Sequence, residues 1–298
     1  MKHQQSSLYL DLKQYQLHLR RLMPIQHGIA PVLMLHGAIE NGRIFYSHSG
    51  KGLGCYLADN GFVVYCADFA GRGASKPSAS EGFSQSQQQM ICHDIPALIE
   101  HIYQQHQQKV ILIAHSWGGV VAAASLARAP QLAAKLAAKV CFGTKRVISV
   151  QSLERKLKIN LLWNKIAPWL SQRYGYFPAR KWRLGADDEP SPFVQDTVPW
   201  IQGGVFEDPD DKFDYAHGCK MVQWPPVWHF AAQNDHLLGH PRDVQAFIAE
   251  TAPEARFTLL GKKTGYLHDY DHISMLTHPT AVNGHFSELR DWLFKLCQ

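Results

Sequence analysis

Ser116 lies where its hydroxyl could act as a nucleophile, at the junction of two contrasting stretches of sequence. Residues 110–113, Val-Ile-Leu-Ile, form a continuous apolar run that predicts a buried strand of a parallel sheet. The alanine-rich run 120–129, closed by Pro130, predicts a helix on the other side of the serine. A sharp turn between strand and helix pushes a serine hydroxyl out of the sheet, provided that small neighbours let the backbone crowd together. The sequence therefore predicts nucleophilic chemistry at Ser116.

The residues around Ser116 match the nucleophile pattern G-x-S-x-G with one change, because Ala114 stands at its first glycine. A methyl group is a small departure, and Gly118 satisfies the second position. Trp117 would open the helix, so its backbone N–H could face an oxyanion that develops on a substrate carbonyl. A Ser-Gly turn that merely caps a structural helix is the alternative. Only the predicted strand and helix favour the functional interpretation.

A second loop could complete the oxyanion site. Residues 31–36 predict another buried strand, which runs directly into a loop of small residues that begins at His36 and Gly37. We expect the Ala38 N–H to face the serine turn and to form the other half of an oxyanion hole. Ile39, the next residue, is a predicted substrate contact. His36 itself is expected to be a structural hydrogen-bonding residue under the loop.

A serine hydroxyl is a poor nucleophile near neutral pH, so it needs a base, and the base needs an acceptor that fixes its tautomer. The chain has 17 histidines, and residue type alone does not choose among them. Sites collect at the carboxyl ends of parallel strands, which favours Asp235 after the predicted strand 226–232 and His272 in the loop after 256–260. The alternatives in this region are His268 or His278 as base, Asp269 or Asp271 as acid, and a metal site over residues 268–272.

The elements around these residues predict an α/β fold. Strand and helix patterns alternate up to residue 144, after an antiparallel hairpin over residues 7–22, and the alternation resumes at residue 226. This order predicts a mostly parallel sheet that is covered by helices on both faces. We therefore expect a core domain formed by residues 1–144 and 222–298.

Residues 145–221 lack the alternation and are expected to form a helical cap over the core. The segment is rich in tryptophan and proline. Trp163, Trp169 and Trp200 are predicted to line an apolar substrate cleft, although aromatic side chains that only pack the cap onto the core would give the same pattern. Exposed apolar residues of the cap could also mediate a homodimer.

Composition disfavours several other classes of protein. With 46% hydrophobic and 18% charged residues, the 298-residue chain is typical of a globular protein rather than a disordered one. Its formal charge of +5 is spread out, and the most basic stretch, 145–165, has the spacing of an amphipathic helix, so we expect no nucleic-acid partner. The six scattered cysteines, and the lack of a signal peptide or of a run of about 18 apolar residues, predict a cytoplasmic location without stable membrane insertion.

Segments 36–37, 68–75, 114–119, 233–236 and 271–275 together resemble the α/β-hydrolase superfamily, in their usual order and over nearly the whole chain. The resemblance implies a doubly wound, mostly parallel eight-stranded sheet with a helical cap. It also implies Ser116 as nucleophile, His272 as base and Asp235 as the acid that orients the base, with oxyanion donors at Trp117 and Ala38. No cofactor or metal ion is implied, and the serine excludes the branch of the superfamily that uses an aspartate nucleophile.

These observations predict a serine hydrolase that cleaves a carboxylic ester or thioester of a small to medium apolar acyl group through an acyl-enzyme. A small molecule is the expected partner. Two alternatives use the same three residues, namely a C–C bond hydrolase and a cofactor-free perhydrolase or haloperoxidase. A third is a binding protein that keeps the fold without catalysis, which the presence of all three residues disfavours.

Overall fold

The predicted strands assemble into one large sheet. The computed structural model of the protein describes residues 2–26 and 28–297. The strands within these residues are β1 (His3–Asp11), β2 (Gln16–Pro24), β3 (Pro31–Leu35), β4 (Val63–Asp68), β5 (Val110–His115), β6 (Leu136–Phe142), β7 (Tyr176–Phe177), β8 (Glu189–Pro190), β9 (Val227–Ala232) and β10 (Arg256–Leu260). Eight of them form the main sheet in the order β1-β2-β4-β3-β5-β6-β9-β10, while β7 and β8 pair separately.

The sheet is mostly parallel, as the sequence predicts. Strands β1 and β2 form the expected hairpin, and β2 pairs with β4 in the antiparallel direction. All the other neighbours in the main sheet run parallel, from β4 and β3 through β5, β6 and β9 to β10. The carboxyl ends of β3, β5, β6 and β9 therefore meet at one edge, where the predicted nucleophile and oxyanion loop lie.

Helices cover both faces of the sheet. They are α1 (Leu53–Asp59), α2 (Gln87–Gln89), α3 (Ile95–His106), α4 (Trp117–Arg128), α5 (Ala167–Tyr174), α6 (Ser191–Ile201), α7 (Tyr215–Met221), α8 (Pro241–Thr251), α9 (Ser274–Thr277) and α10 (His285–Leu296). Side chains alternate along a strand, so Leu33 and Leu35 of β3 join the core under α3 and α4. Val32 and Met34 join the opposite core under α1 and α10. Both faces are thus buried, which explains the continuous apolar runs of the central strands.

The chain between β6 and β9 contains α5, α6, α7, a π-helical segment over Arg155–Ile166 and the short pair β7–β8. Some of its apolar side chains form a small cluster of their own, centred on Leu170 and Phe177. Others, including Phe193 and Trp200, join the core on the α4 side of the sheet. The boundaries of the cap at residues 145 and 221 remain a prediction.

The helices of the fold are too short or too polar to cross a membrane. Across residues 2–26 and 28–297, none of them combines the length and the apolar composition that a bilayer span requires.

Candidate active site

Ser116 occupies the turn between β5 and α4. Its backbone has φ of 49° and ψ of −124°, a conformation with positive φ that residues with a side chain rarely adopt. The Ser116 N–H donates to the carbonyl of Phe142 at 2.8 Å, which ties the turn to the end of β6. The residue is 8% exposed, so only a small part of it reaches solvent. A strained residue held in this way is typical of a nucleophile turn.

The two glycines after the serine are required by close packing. A Cβ atom at Gly118 would lie 2.3 Å from the carbonyl oxygen of His36, and one at Gly119 would lie 2.2 Å from Oγ1 of Thr144. Helix α4 therefore begins in direct contact with the chain that leaves β3 and with the chain that leaves β6. This contact brings the predicted oxyanion loop against the predicted nucleophile.

His272 and Asp235 form a buried hydrogen-bonded pair. His272 Nδ1 lies 2.5 Å from Asp235 Oδ2, and the two residues are 7% and 3% exposed. Burial alone would raise the pKa of Asp235, but the imidazole of His272 outweighs it and lowers the pKa to about 2. The ionised carboxylate can only accept, so Nδ1 carries the proton and Nε2 keeps its lone pair. The pair thus presents a neutral imidazole whose basic Nε2 has no hydrogen-bond partner among the residues that the structure describes.

The His272 ring packs against the same strand end that holds the serine turn. A Cβ atom at Gly143 would lie 2.9 Å from Cε1 of His272, and Gly143 directly follows Phe142, the acceptor of the Ser116 N–H. Burial lowers the pKa of His272 below its ordinary value of 6.5, although the neighbouring Asp235 opposes the shift. The three predicted residues therefore meet at the carboxyl edge of the sheet.

The other candidates for acid and base have different partners. His268 and His278 stack on each other with ring centres 4.0 Å apart. Asp269 accepts a hydrogen bond from the backbone N–H of Lys262, and Asp271 accepts from backbone groups of its own loop. In the part of the chain that the structure describes, no three His, Cys, Asp or Glu side chains are grouped to hold a metal ion.

The loop over residues 37–41, here called the oxyanion loop, runs against the nucleophile. A Cβ atom at Gly37 would lie 2.8 Å from Cβ of Ser116. Among the described residues, the Ala38 N–H has no hydrogen-bond partner. Trp117 is the first residue of α4, where a backbone N–H has no acceptor within the helix. Both predicted oxyanion donors are thus on backbone that adjoins Ser116.

Glu40, a partly buried residue of the oxyanion loop, pairs with the buried His115, and no pattern in the sequence singled out Glu40. Glu40 Oε2 accepts from the Gly37 N–H at 2.9 Å and lies 2.8 Å from His115 Nδ1. His115 Nε2 lies 2.9 Å from the carbonyl oxygen of His272. Because both nitrogens of His115 face acceptors, its ring is doubly protonated and donates twice. The pair links the oxyanion loop, the residue before the nucleophile and the loop of the predicted base.

Each residue of the Glu40–His115 pair stabilises the ionised form of the other. Burial alone would lower the pKa of His115, but Glu40 outweighs it and raises the pKa above its ordinary value. Burial alone would raise the pKa of Glu40, and His115 instead lowers it to about 2. An imidazolium and a carboxylate therefore neutralise each other below Ser116.

The cap holds the oxyanion loop from the other side. Ile39 has φ of 51°, which is strained for a β-branched residue. Its carbonyl accepts from the Ala186 N–H at 2.8 Å, and its own N–H donates to the Glu189 carboxylate. Glu189 is fully buried and forms an ion pair with Arg72, with 2.5 Å between Nη2 and Oε2. The conformation of the oxyanion loop thus depends on a side chain of the cap.

The predicted substrate-binding residues have different surroundings. Trp200 is 2% exposed, and its ring centre lies 6.2 Å from that of Trp117. Trp163 is half-buried and donates from Nε1 to Oγ1 of Thr197 at 3.0 Å. Trp169 is 65% exposed and points to solvent. Trp200 is therefore placed beside the nucleophile helix, whereas Trp169 is on the outer surface of the cap.

The sheet order, the serine turn and the His272–Asp235 pair define an α/β-hydrolase. The family model described as serine aminopeptidase, S33, matches residues 26–191, which is more than half of the chain. The protein belongs to that family. The match includes Ser116 and the oxyanion loop but ends before Asp235 and His272, so the positions of those two residues rest on the structure and the sequence order.

Known proteins with similar sequences and structures include lipases. The chain is 30% identical to triacylglycerol lipase 1 of Arabidopsis thaliana over 103 residues, which cover 32% of this chain and 26% of the lipase. It is 30% identical to a tear acid lipase-like protein of Mesocricetus auratus over 131 residues, covering 41% and 32% of the two chains. The matches span about a quarter to a third of these relatives.

A solved lipase structure resembles this protein over the whole fold. Monoglyceride lipase from Saccharomyces cerevisiae, crystallised as a soluble variant with a substrate analogue, superimposes with a TM-score of 0.71. The superposition covers 98% of this chain and 96% of the lipase, at 16% identity. At that identity the likeness establishes the α/β-hydrolase fold.

Proposed function

We propose that the protein is a carboxylic ester hydrolase that works through an acyl-enzyme at Ser116. The observation that carries the proposal is the strained serine turn beside the buried His272–Asp235 pair. Partial similarity to lipases supports an ester as the substrate. The apolar side chains around Trp117 and Trp200 support a small to medium apolar acyl group, carried by an ester or a thioester.

In the proposed mechanism each residue carries out one step. His272 Nε2 takes the hydroxyl proton as Ser116 Oγ bonds to the carbonyl carbon, and the carbonyl electron pair moves onto oxygen. The Trp117 and Ala38 N–H groups stabilise this oxyanion. When the oxyanion collapses, the bond to the leaving group breaks and His272 gives it the proton. Water then attacks the acyl carbon and loses a proton to His272. The bond between the acyl carbon and Ser116 Oγ breaks, His272 returns the proton to Oγ and the acid is released, while Asp235 stays ionised and holds the imidazole tautomer.

A fluorophosphonate probe tests the proposal directly, because an activated serine displaces its fluoride far faster than an ordinary hydroxyl does. We expect intact-mass and peptide mass spectrometry to find one probe on Ser116 in the wild-type protein, and labelling of the folded His272→Ala variant to be at least about 100-fold slower. p-Nitrophenyl esters of increasing chain length then measure the size of the acyl pocket. A folded wild-type protein that is neither labelled nor active on esters would contradict the proposal and favour a non-catalytic binding protein.

The pKa of His272 gives a second prediction. The imidazole must be neutral to accept the serine proton, and burial holds its pKa below 6.5. We therefore expect kcat/KM for a p-nitrophenyl ester to rise with pH through an apparent pKa below 6.5 and to level off above it. The measurement is a pH profile in buffers of constant ionic strength. A midpoint above 6.5 would show that a group other than His272 limits the reaction.

The family description also suggests aminopeptidase activity, which the charges around the site disfavour. An aminopeptidase has to bind the free α-ammonium group of a peptide, and an unpaired carboxylate is the natural partner for it. The carboxylates near the site, those of Glu40, Asp235 and Glu189, are all paired with cationic or imidazole side chains. No feature of the site favours C–C bond cleavage or perhydrolysis over ester hydrolysis.

The remaining proposals concern location and assembly. We place the protein in the cytoplasm because its six cysteines are free, with four of them buried as apolar side chains. A homodimer through the cap is proposed on the exposed side chains of Leu153, Leu157, Leu161 and Trp169.

A further inference from the structure

The Lys145 ammonium lies over the Trp117 ring in the candidate active site, and no carboxylate of the described residues binds it directly. The residue is only 4% exposed. Within residues 2–26 and 28–297, its ammonium group forms neither a hydrogen bond nor an ion pair, and it lies 6.0 Å from the centre of the Trp117 ring. Its Nζ belongs to the small exposed part of the side chain rather than to the fully buried polar atoms. An ammonium has three donors, and none of them meets a protein acceptor within the described residues. The site thus offers a cation to an anionic group that enters from solvent.

The backbone places Lys145 between the predicted base and the helix that follows the nucleophile. Gly143 packs against the His272 ring, and the side chain of Thr144 packs against Gly119 in the first turn of α4. Lys145 is the next residue of this segment. Its side chain therefore leaves the backbone close to His272 and to the first turn of α4, rather than on the outer surface of the cap.

Three carboxylates stabilise the charge of Lys145 at a distance but do not bind it. They belong to Asp235, Asp243 and Glu40, and each is already hydrogen-bonded elsewhere. Asp235 binds His272, Asp243 accepts from the backbone and hydroxyl of Ser149, and Glu40 accepts from Gly37 and His115. Burial lowers the pKa of Lys145 to about 8, and these carboxylates oppose the shift. The ammonium is accordingly protonated at about pH 7.

We propose that Lys145 binds a carboxylate of the substrate, so that the ester cleaved at Ser116 carries a second, ionised carboxyl group. This inference rests on the proposed ester hydrolysis and names its substrate class. A carboxylate supplies an acceptor that no described protein group provides, in a charge-assisted hydrogen bond. The apolar part of the acyl or leaving group then contacts the aromatic side chains around Trp117. The same charge repels the α-ammonium of a peptide, which separates this site from an aminopeptidase site.

Matched pairs of esters test the proposal. The first pair is the mono-p-nitrophenyl ester of glutaric acid and p-nitrophenyl pentanoate, which differ by a carboxylate on the acyl group. The second pair is para-acetoxybenzoate and para-acetoxybenzamide, which differ by a carboxylate on the leaving group. In the variant Lys145→Met, we expect the ratio of kcat/KM for the anionic ester to that for the neutral ester to fall about 10- to 100-fold in one of the pairs.

The ratio isolates binding of the carboxylate from other effects of the charge. Lys145 also lowers the pKa of His272, but that influence changes both esters alike and cancels in the ratio. Lys145→Arg keeps the charge and should retain most of the preference for the anionic ester. Lys156→Met removes the same charge from an exposed position of the cap and should leave both ratios unchanged. Ratios in Lys145→Met that equal the wild-type values in both pairs would overturn the proposal.

The labelling of Ser116 distinguishes this failure from a failure of the proposed function. A wild-type protein that is labelled by fluorophosphonate and cleaves esters, with ratios insensitive to Lys145, contradicts only the carboxylate proposal. A folded wild-type protein that is not labelled and cleaves none of the four esters contradicts ester hydrolysis, and the role of Lys145 falls with it.

Discussion

Replacing Ser116 with alanine is expected to lower kcat/KM for a p-nitrophenyl ester by about 10⁴- to 10⁶-fold. The substitution removes the atom that forms the acyl-enzyme, while the His272–Asp235 pair and the oxyanion donors stay in place. The residual rate comes from the oxyanion hole and from binding alone. Active-site titration and steady-state hydrolysis, at enzyme concentrations high enough to detect this residual rate, provide the measurement.

The neighbouring sequence offers a matched control for the loss of a hydroxyl. Ser125 lies in α4, the helix that follows Ser116. It is fully buried, and its Oγ has no hydrogen-bond partner among the described residues. Ser125→Ala should therefore retain wild-type activity. Ser116→Ala should also unfold at nearly the wild-type urea concentration, because alanine keeps the strained backbone that serine has. If Ser116→Ala kept more than about a hundredth of the activity, Ser116 would not be the nucleophile.

The parts of the site that could be predicted are those with a local signal. Ser116 follows a continuous apolar strand and precedes a small-residue helix, and Asp235 and His272 follow strands in the order Ser, acid, His. Such signals come from residues that are adjacent in the chain. The hairpin was predictable because its residues alternate between polar and apolar. The parallel sheet was predictable because its central strands are continuous apolar runs, as expected of strands that are buried on both faces.

The parts that could not be predicted depend on contacts between distant residues. Glu40 and His115 are 75 positions apart in the sequence, and Arg72 and Glu189 are 117 positions apart. No short sequence pattern can indicate either pair. Strands β7 and β8 have two residues each, too few for any alternation to show. Lys145 belongs to a basic stretch whose spacing suggested a solvated helix face, yet it lies before that helix and is buried. Tertiary packing decided each of these cases.

The Arg72–Glu189 ion pair connects the cap to the oxyanion loop, and both side chains are almost completely buried. Arg72 Nε donates to Glu189 Oε2 at 2.7 Å, while the other carboxylate oxygen accepts from the Ile39 N–H. Arg72 also donates to the Ala70 carbonyl at 2.8 Å, and its guanidinium stacks over the Phe193 ring at 4.4 Å. One carboxylate therefore serves two purposes, since it neutralises a buried guanidinium and holds a strained loop.

Glu189→Gln is expected to lower the free energy of unfolding by about 3–5 kcal/mol, because it leaves the guanidinium of Arg72 buried without a counter-ion. Arginine cannot avoid this cost by losing its proton, because its guanidinium stays charged. Urea unfolding followed by tryptophan fluorescence provides the measurement. The matched control is Glu154→Gln, which breaks an exposed pair with Lys158 in the cap and should cost less than about 1 kcal/mol. Equal effects of the two substitutions would contradict a structural role for the buried pair.

The same Glu189→Gln variant should also lose activity. A side-chain amide has a single oxygen, so at this position it can accept from Ile39 or from Arg72 but cannot serve both as the carboxylate does. The strained loop then loses a restraint, Ala38 moves from its position beside Ser116, and kcat should fall about 10- to 100-fold.

The double variant Arg72→Met with Glu189→Met separates the effect on activity from the effect on stability. It removes both charges and should recover most of the stability. It still leaves the Ile39 N–H without its acceptor, so kcat should stay low. Recovery of kcat together with stability would show that the pair only stabilises the fold, whereas stable protein with low kcat would show that Glu189 positions the oxyanion loop.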